Sequence, residues 1–246
     1  MATAVVHYAA AAVTDRGRKR NSNEDAYGLS VEHGVYLVCD GMGGAAAGEI
    51  ASSLAVEEMM RLLKARSLEN GSPALAAEEA VRAANEAIHS RAERNPRLTG
   101  MGTTMVGLLT QERRVWVMNV GDSRCYRLRK GKLEQLTSDH SYVDEQVRLG
   151  RMTDAEARRS PFKNIITRAL GTQASVTPDI VELEADAGDL FMLCSDGLTR
   201  ELEDPAIESM LDNDSRLAEL CARLVNAAKK AGGHDNITCL LVKAEG

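Results

Sequence analysis

Aromatic residues are scarce in this chain of 246 residues: Phe, Trp and Tyr together make up 3%. Stacking platforms for bases or sugar rings would have few side chains to draw on. Positive charge is not in excess either. Thirty Lys+Arg stand against 36 Asp+Glu, a formal net charge of −6, which argues against a nucleic-acid partner that needs a basic face. The five cysteines, Cys39, Cys125, Cys194, Cys221 and Cys239, are odd in number and form no CxxC. That excludes a disulfide framework and a zinc knuckle, and reads as isolated buried thiols in a reducing compartment. No stretch approaches the roughly eighteen apolar residues of a membrane span. The first residues are apolar but carry no basic run, and His7 and Tyr8 interrupt them, so they read as a first strand and not as a signal peptide. A cytoplasmic location is expected.

What is present is an ordinary globular composition, 44% hydrophobic and 27% charged, in a chain long enough for one large core. Strand patterns are expected at 5–13, 25–30, 35–39, 103–110, 115–120, 124–129, 181–183, 190–194 and 237–242. Helical spacing covers 48–64, 74–94, 205–211 and 215–231. Arg129-Lys-Gly-Lys132 reads as a hairpin, and the polar segment 138–163 as a long connection with one or two short helices. No repeat or low-complexity linker divides the chain. One domain over 1–246 is expected, with helices on the outer faces of a largely antiparallel β core.

The chemistry is carried by where the acids fall. Three apolar runs each end in an aspartate beside glycine: Leu37-Val-Cys-Asp40-Gly41, Asn119-Val-Gly121-Asp122 and Leu193-Cys-Ser195-Asp196-Gly197. Asp235 stands just before the last apolar run, and Glu24-Asp25 opens the second. A single such aspartate is usually a turn residue or a helix cap. Several in equivalent places suggest that strands lying side by side gather carboxylates at one end of the core. Crowded carboxylates repel one another and take up protons unless a cation neutralises them. Oxygen-only ligands suit Mg²⁺, Mn²⁺ or Ca²⁺ and not zinc or copper. The histidines offer no HxxxH pair, and His234 beside Asp235 reads as a surface or supporting group. The basic segment Arg16-Gly-Arg-Lys-Arg20, ordinarily read as a solvated loop, runs directly into the first acids, and an arginine so placed can fork two oxygens of a phosphate or a carboxylate.

Seven short motifs occur in a recognisable order: Arg20-Asn-Ser-Asn-Glu24-Asp25, Asp40-Gly-Met-Gly-Gly44, Gly102-Thr-Thr104, Val120-Gly-Asp-Ser-Arg124, Leu136-Thr-Ser-Asp-His-Ser141, Ser195-Asp-Gly197 and Asp235-Asn-Ile-Thr238. In this the chain resembles the metal-dependent serine/threonine protein phosphatases of type 2C (PPM), most of all their compact bacterial branch, over residues 5 to 243. The resemblance implies an α+β fold, a four-layer αββα sandwich of two central, mainly antiparallel sheets flanked by helix pairs. It implies Mn²⁺ or Mg²⁺, two ions with a third, weaker site, and hydrolysis of phosphoserine or phosphothreonine by a water or hydroxide bridging the metals.

Residue by residue, it implies that Asp40 bridges two ions and that the Gly41 carbonyl helps hold one. Asp196 and Asp235 would hold the other, Asp122 with Asp196 the third, and Glu24 and Asp25 would act through water or from behind the ligands. Arg20 would bind the substrate phosphate, and residues 138–170 would form a flap beside the site. Phosphorylated proteins are the implied partners, with a serine/threonine kinase opposing the reaction; a monomer is expected, with neither nucleic acid nor membrane as partner. One departure concerns Met42: animal members carry a histidine there that is proposed to protonate the leaving alkoxide, and a thioether cannot.

Two alternatives compete. Gly41-Met-Gly43-Gly-Ala-Ala46 satisfies a dinucleotide-binding pattern, but the acid expected on a following strand is replaced by Glu57 and Glu58 in a helical stretch. A non-catalytic interaction module on the phosphatase fold would be expected to have lost ligands, and this chain keeps Asp40, Asp196, Asp235 and Arg20.

Overall fold

Strand β3 (Val35–Met42) shows how the fold is built, because it is apolar on both faces. Leu37 and Cys39 pack toward helices, whereas Tyr36 and Val38 pack toward a second sheet. Only a strand sandwiched between two layers needs both alternating sets to be apolar. The computed structural model describes residues 6–43, 47–65 and 72–246.

One sheet has the order β1 (His7–Asp15), β11 (Ile237–Glu245), β10 (Leu190–Cys194), β7 (Arg124–Arg129), β8 (Lys132–Gln135). The other runs β2 (Asp25–Ser30), β3, β5 (Met105–Gln111), β6 (Arg114–Val120), β9 (Asp179–Glu184), with the short β4 (Gly102–Thr103) paired to the end of β3. Every pairing between these strands is antiparallel. Helices α1 (Ala47–Ala65) and α2 (Pro73–Arg94) cover the β2–β9 sheet. On the other side α5 (Asp196–Thr199), α6 (Asp204–Met210) and α7 (Leu217–Ala231) cover the β1–β8 sheet. Between the sheets Tyr36, Val38 and Leu108 meet Phe191, Leu193 and Leu240. The layers are therefore helix, sheet, sheet, helix, the αββα sandwich.

The local signals are conventional. Helix α2 starts on Ser72-Pro73, where a proline at the first turn sacrifices no hydrogen bond. Two short helices stand in the long connection, α3 (Tyr142–Arg148) and α4 (Asp154–Arg159). The Ser141 side chain caps α3, and Thr153 with Glu156 forms a reciprocal capping box on α4. Among the described residues no helix is long and apolar enough to cross a membrane.

Three expectations change. The strand at 103–110 is broken, because Thr104 turns inward: its N–H donates to the Asp40 carbonyl (2.9 Å) and its Oγ1 accepts from the Asp40 N–H (3.1 Å). A short helix, α5, begins at Asp196, where only a strand end was expected. Most importantly, the acids do not all sit on one run of neighbouring strands: Asp25 and Asp40 face each other on paired β2 and β3, whereas Asp196 and Asp235 flank the paired β10 and β11. These two pairs belong to different sheets, and Asp122 lies in the turn from β6 to β7 that passes between the sheets, so the site is assembled across the sandwich. Val5, Gly44 and the residues to Ala46 lie outside the described residues, and with them the start of the expected first strand and half of the glycine-rich loop.

Candidate metal centre

Asp40 and Asp25 are directly opposite in the β2–β3 ladder, so two carboxylates share one site from the outset. The Asp40 backbone is fixed independently of its side chain: besides Thr104, the Thr103 hydroxyl donates to its carbonyl (2.9 Å). Thr104 Oγ1 in turn meets Ser123 Oγ at 2.7 Å, linking Asp40 to the loop that carries Asp122. This accounts for Thr103, Thr104 and Ser123 as motif residues.

The other sheet is tied in through Asp25. Its Oδ2 accepts from Ser195 Oγ (2.7 Å) and Thr238 Oγ1 (2.6 Å), which place the starts of α5 and β11 against it. Asn236 fastens the basic loop: its Nδ2 donates to the carbonyls of Arg16 and Ser22 (both 2.9 Å), and its Oδ1 accepts from the Glu24 N–H (2.8 Å). Gly17 adopts φ +75°, and a Cβ there would lie 2.0 Å from the Asp235 carbonyl oxygen, so only glycine allows this loop to close on Asp235. Asp122 is set by Gly121, whose N–H donates to His140 Nδ1 (3.0 Å). With Nδ1 accepting, the proton of a neutral His140 sits on Nε2 and is donated to Asp179 Oδ2 (3.1 Å).

Glu24 lies behind the others. Its N–H is taken by Asn236, its carbonyl accepts from Gly41 N–H (3.1 Å) and Ser52 Oγ (2.6 Å), and its carboxylate packs so closely on α1 that a Cβ at Gly48 would be 2.0 Å from Oε2. Arg20 is half-exposed and ion-pairs with Asp235 (2.8 Å). His234 is exposed and pairs with Glu201 (2.7 Å). The five cysteines are buried and free, and burial pushes the Cys194 thiol up to about 12, so neither it nor the similarly raised Cys39 is poised as a nucleophile.

One residue was not anticipated. Arg200 stands four residues after Asp196, and its guanidinium contacts Asp196 and lies 3.6 Å from both Asp122 and Asp235. The local signal was available, since residues four apart share a helix face, but α5 itself was not expected. With the carboxylates turned onto Arg200 and Arg20, no three His, Cys, Asp or Glu side chains among the described residues converge tightly enough to enclose an ion in this arrangement.

The electrostatics nevertheless fit cations. Asp25, Asp40, Asp122, Asp196 and Asp235 face two guanidinium groups. Asp25 Oδ1, Asp122 Oδ1 and Asp196 Oδ1 are buried with no hydrogen-bond partner. A buried acceptor-only oxygen with nothing to accept from is expensive, and divalent cations are the partners an all-oxygen set prefers. Burial, then the charge of Asp235, pushes Asp25 up to about 6 against the hydrogen bonds of Thr238 and Ser195. Burial and the neighbouring carboxylates hold Asp40 and Asp196 well above the usual carboxylate range; burial also raises Asp122, although Arg200 opposes it.

A pH dependence follows from these shifts. A carboxyl whose pKa is raised on folding contributes less stability as pH climbs from its unfolded value through its folded one. The metal-free chain should therefore lose stability from this cluster as pH rises past about 4 to 6, and Mn²⁺, which replaces protons, should restore it. The rise in Tm on adding Mn²⁺ is expected to be larger near pH 8 than near pH 5. An equal rise at both, measured by differential scanning fluorimetry against an EDTA control, would count against a carboxylate metal site.

Comparison with known proteins agrees with this picture. A family model described as Protein phosphatase 2C matches residues 14–242. The serine/threonine phosphatase stp of Listeria innocua is 38% identical over 240 residues, covering 94% of this chain and 93% of that protein. The crystal structure of the Mycobacterium tuberculosis serine/threonine phosphatase PstP/Ppp superposes with a TM-score of 0.90 at 38% identity, covering 99% of this chain and 100% of that one. The catalytic domain of PstP in complex with 2 manganese ions gives a TM-score of 0.89 at 37% identity, with the same coverage.

Proposed function

Since the chain belongs to the protein phosphatase 2C family, we propose that it hydrolyses phosphoserine and phosphothreonine in proteins with the help of Mn²⁺ or Mg²⁺. The observation that carries this to the site is the surplus of buried carboxylates with orphaned oxygens, drawn from both sheets. Asp40, the Gly41 carbonyl, Asp196 and Asp235 are the residues that would hold two ions, with Asp25 and Glu24 behind them. Such ions supply Lewis acidity and an activated water at neutral pH.

The chain's own residues do the rest. Arg20, half-exposed at the mouth of the site, is placed to donate to phosphate oxygens and so to orient the substrate. Asp25, held by Ser195 and Thr238, fixes the two sheets at the separation the site needs. Cysteine plays no part. A groove of about 660 Å³ leads from Asp122, Asp196 and Arg200 to Val143, Lys163 and Glu203, giving the flap residues 138–170 one wall of the approach. A serine/threonine kinase must supply the phosphoester, and the same reading carries a cytoplasmic monomer in which the whole chain is one catalytic unit.

The nucleotide-binding alternative needs a parallel βαβ unit. Here β3 pairs antiparallel with β2, β4 and β5, and Glu57 and Glu58 lie within α1. The direct test is phosphate release from a phosphothreonine peptide. Release is expected with Mn²⁺, to be abolished by EDTA, and to return when Mn²⁺ is added in excess. Turnover that survives EDTA would defeat the reading.

A further inference from the structure

The guanidinium of Arg200 lies among three carboxylates and is in contact with one of them. Its Nη2 contacts Asp196 and lies 3.6 Å from Asp122 Oδ2, and its Nη1 lies 3.6 Å from Asp235 Oδ2. Asp40 is not among its ion-pair partners. The placement is built into the local chain. The Arg200 N–H donates to the Asp196 carbonyl (2.8 Å), which puts its Cα one helical turn beyond Asp196. Side chains on a helix lean toward its N-terminus, so Arg200 is directed back over Asp196 and across to the Asp122 loop. Both carboxylates are nearly buried, whereas Arg200 reaches them from the groove and remains one-third exposed.

From this we propose that Arg200 is the resident cation of the Asp122–Asp196 pair, so that this chain takes divalent ions at the Asp40–Asp235 end and none at a third position. The inference rests on the phosphatase reading above and sharpens its metal content. A divalent ion held by Asp122 and Asp196 would share both carboxylates with the guanidinium, which faces their Oδ2 atoms and leaves it only the two Oδ1 atoms. It would have to expel a positive charge tethered to one of its own ligands, and would feel that charge at close range if it did not. Arginine stays protonated at every pH at which the protein works, so the position is not released by titration. Two carboxylates with one permanent cation between them are also a less attractive site for a further divalent ion than two bare carboxylates.

The test counts ions and does not depend on turnover. Equilibrium dialysis against Mn²⁺ at saturating concentration, read by electron paramagnetic resonance, should give about two ions per wild-type chain and about three for Arg200→Met, which keeps the bulk and removes the charge. Arg20→Met, which removes the other arginine of the cluster, should stay at about two. A third ion on the wild-type chain overturns the proposal, as does an Arg200→Met count unchanged from wild type or an Arg20→Met count that rises equally. If Arg200→Met does not fold, the wild-type count still decides. A wild-type chain that takes up no Mn²⁺ brings down the phosphatase reading and this inference together, whereas a count of three overturns only the inference.

Discussion

Asp40→Ala is expected to lower kcat toward phosphothreonine peptides by about 10³-fold or more, the scale on which losing a preorganised charge-stabilising group is felt in an active site. The fold should survive the change. The Asp40 backbone is held by Thr103 and Thr104 and by the β2–β3 ladder, none of which uses the carboxylate. Removing a carboxyl held well above its usual range by burial and by four acidic neighbours relieves repulsion in the metal-free chain. The diagnostic pattern is therefore lost turnover, an unchanged or higher Tm in EDTA, and a smaller rise in Tm with Mn²⁺. A variant that kept more than about a tenth of wild-type kcat would remove Asp40 from the catalytic centre. Met42→Ala is the companion measurement. Its thioether has no proton to give, so it cannot serve as the general acid, and kcat should remain within about tenfold of wild type. A loss as deep as that of Asp40→Ala would contradict this.

The second large effect is on stability. Arg124→Met is expected to lower the unfolding free energy by about 3–5 kcal/mol, because it leaves a nearly buried carboxylate without its counter-charge. Arg124 forks Asp139 through Nε (2.9 Å to Oδ1) and Nη2 (2.7 Å to Oδ2), and its Nη1 donates to the Tyr126 hydroxyl (2.9 Å), which donates on to Asp204 (3.1 Å). Gln135 adds a donor to Asp139 at 3.1 Å. This network joins β7, the beginning of the flap and the start of α6 beneath the groove, and explains Arg124 and Asp139 as motif residues whose first task is to hold the flap. Urea unfolding followed by circular dichroism measures the loss. The double variant Arg124→Met with Asp139→Leu should recover part of it, since the stranded charge is then gone. A loss below about 1 kcal/mol would mean the pair behaves as a surface ion pair.

The ends of the apolar runs were legible because strand periodicity and a terminal aspartate are both local. Asp122 and Asp196 stand just past the strands β6 and β10, and the continuous apolar run at Val35–Cys39 is a doubly covered strand whose ladder continues to Met42. The break at Thr104 was not legible, since Thr103, Thr104 and Val106 are β-branched and suit a strand, and only the need to bond Asp40 bends the chain there. Arg200 was missed for a related reason. A four-residue helix leaves too little periodicity to detect, and without it nothing marks Arg200 as Asp196's neighbour.

By itself the sequence determined most element types and the set of acids, because these follow from period, turn chemistry and short spacings that each segment carries alone, whereas the αββα order of layers was implied by the resemblance of the ordered motifs to a known family. Only the tertiary structure decided that Asp25 and Asp40 of one sheet meet Asp196 and Asp235 of the other with Asp122 in a turn between the sheets, that Asp25 is the strut joining them, and that Arg200 lies among the carboxylates. Those relations depend on how two sheets face each other across a shared core. That packing is settled by the fit of Tyr36, Leu108, Phe191 and Leu240 from distant parts of the chain, and no local spacing contains it.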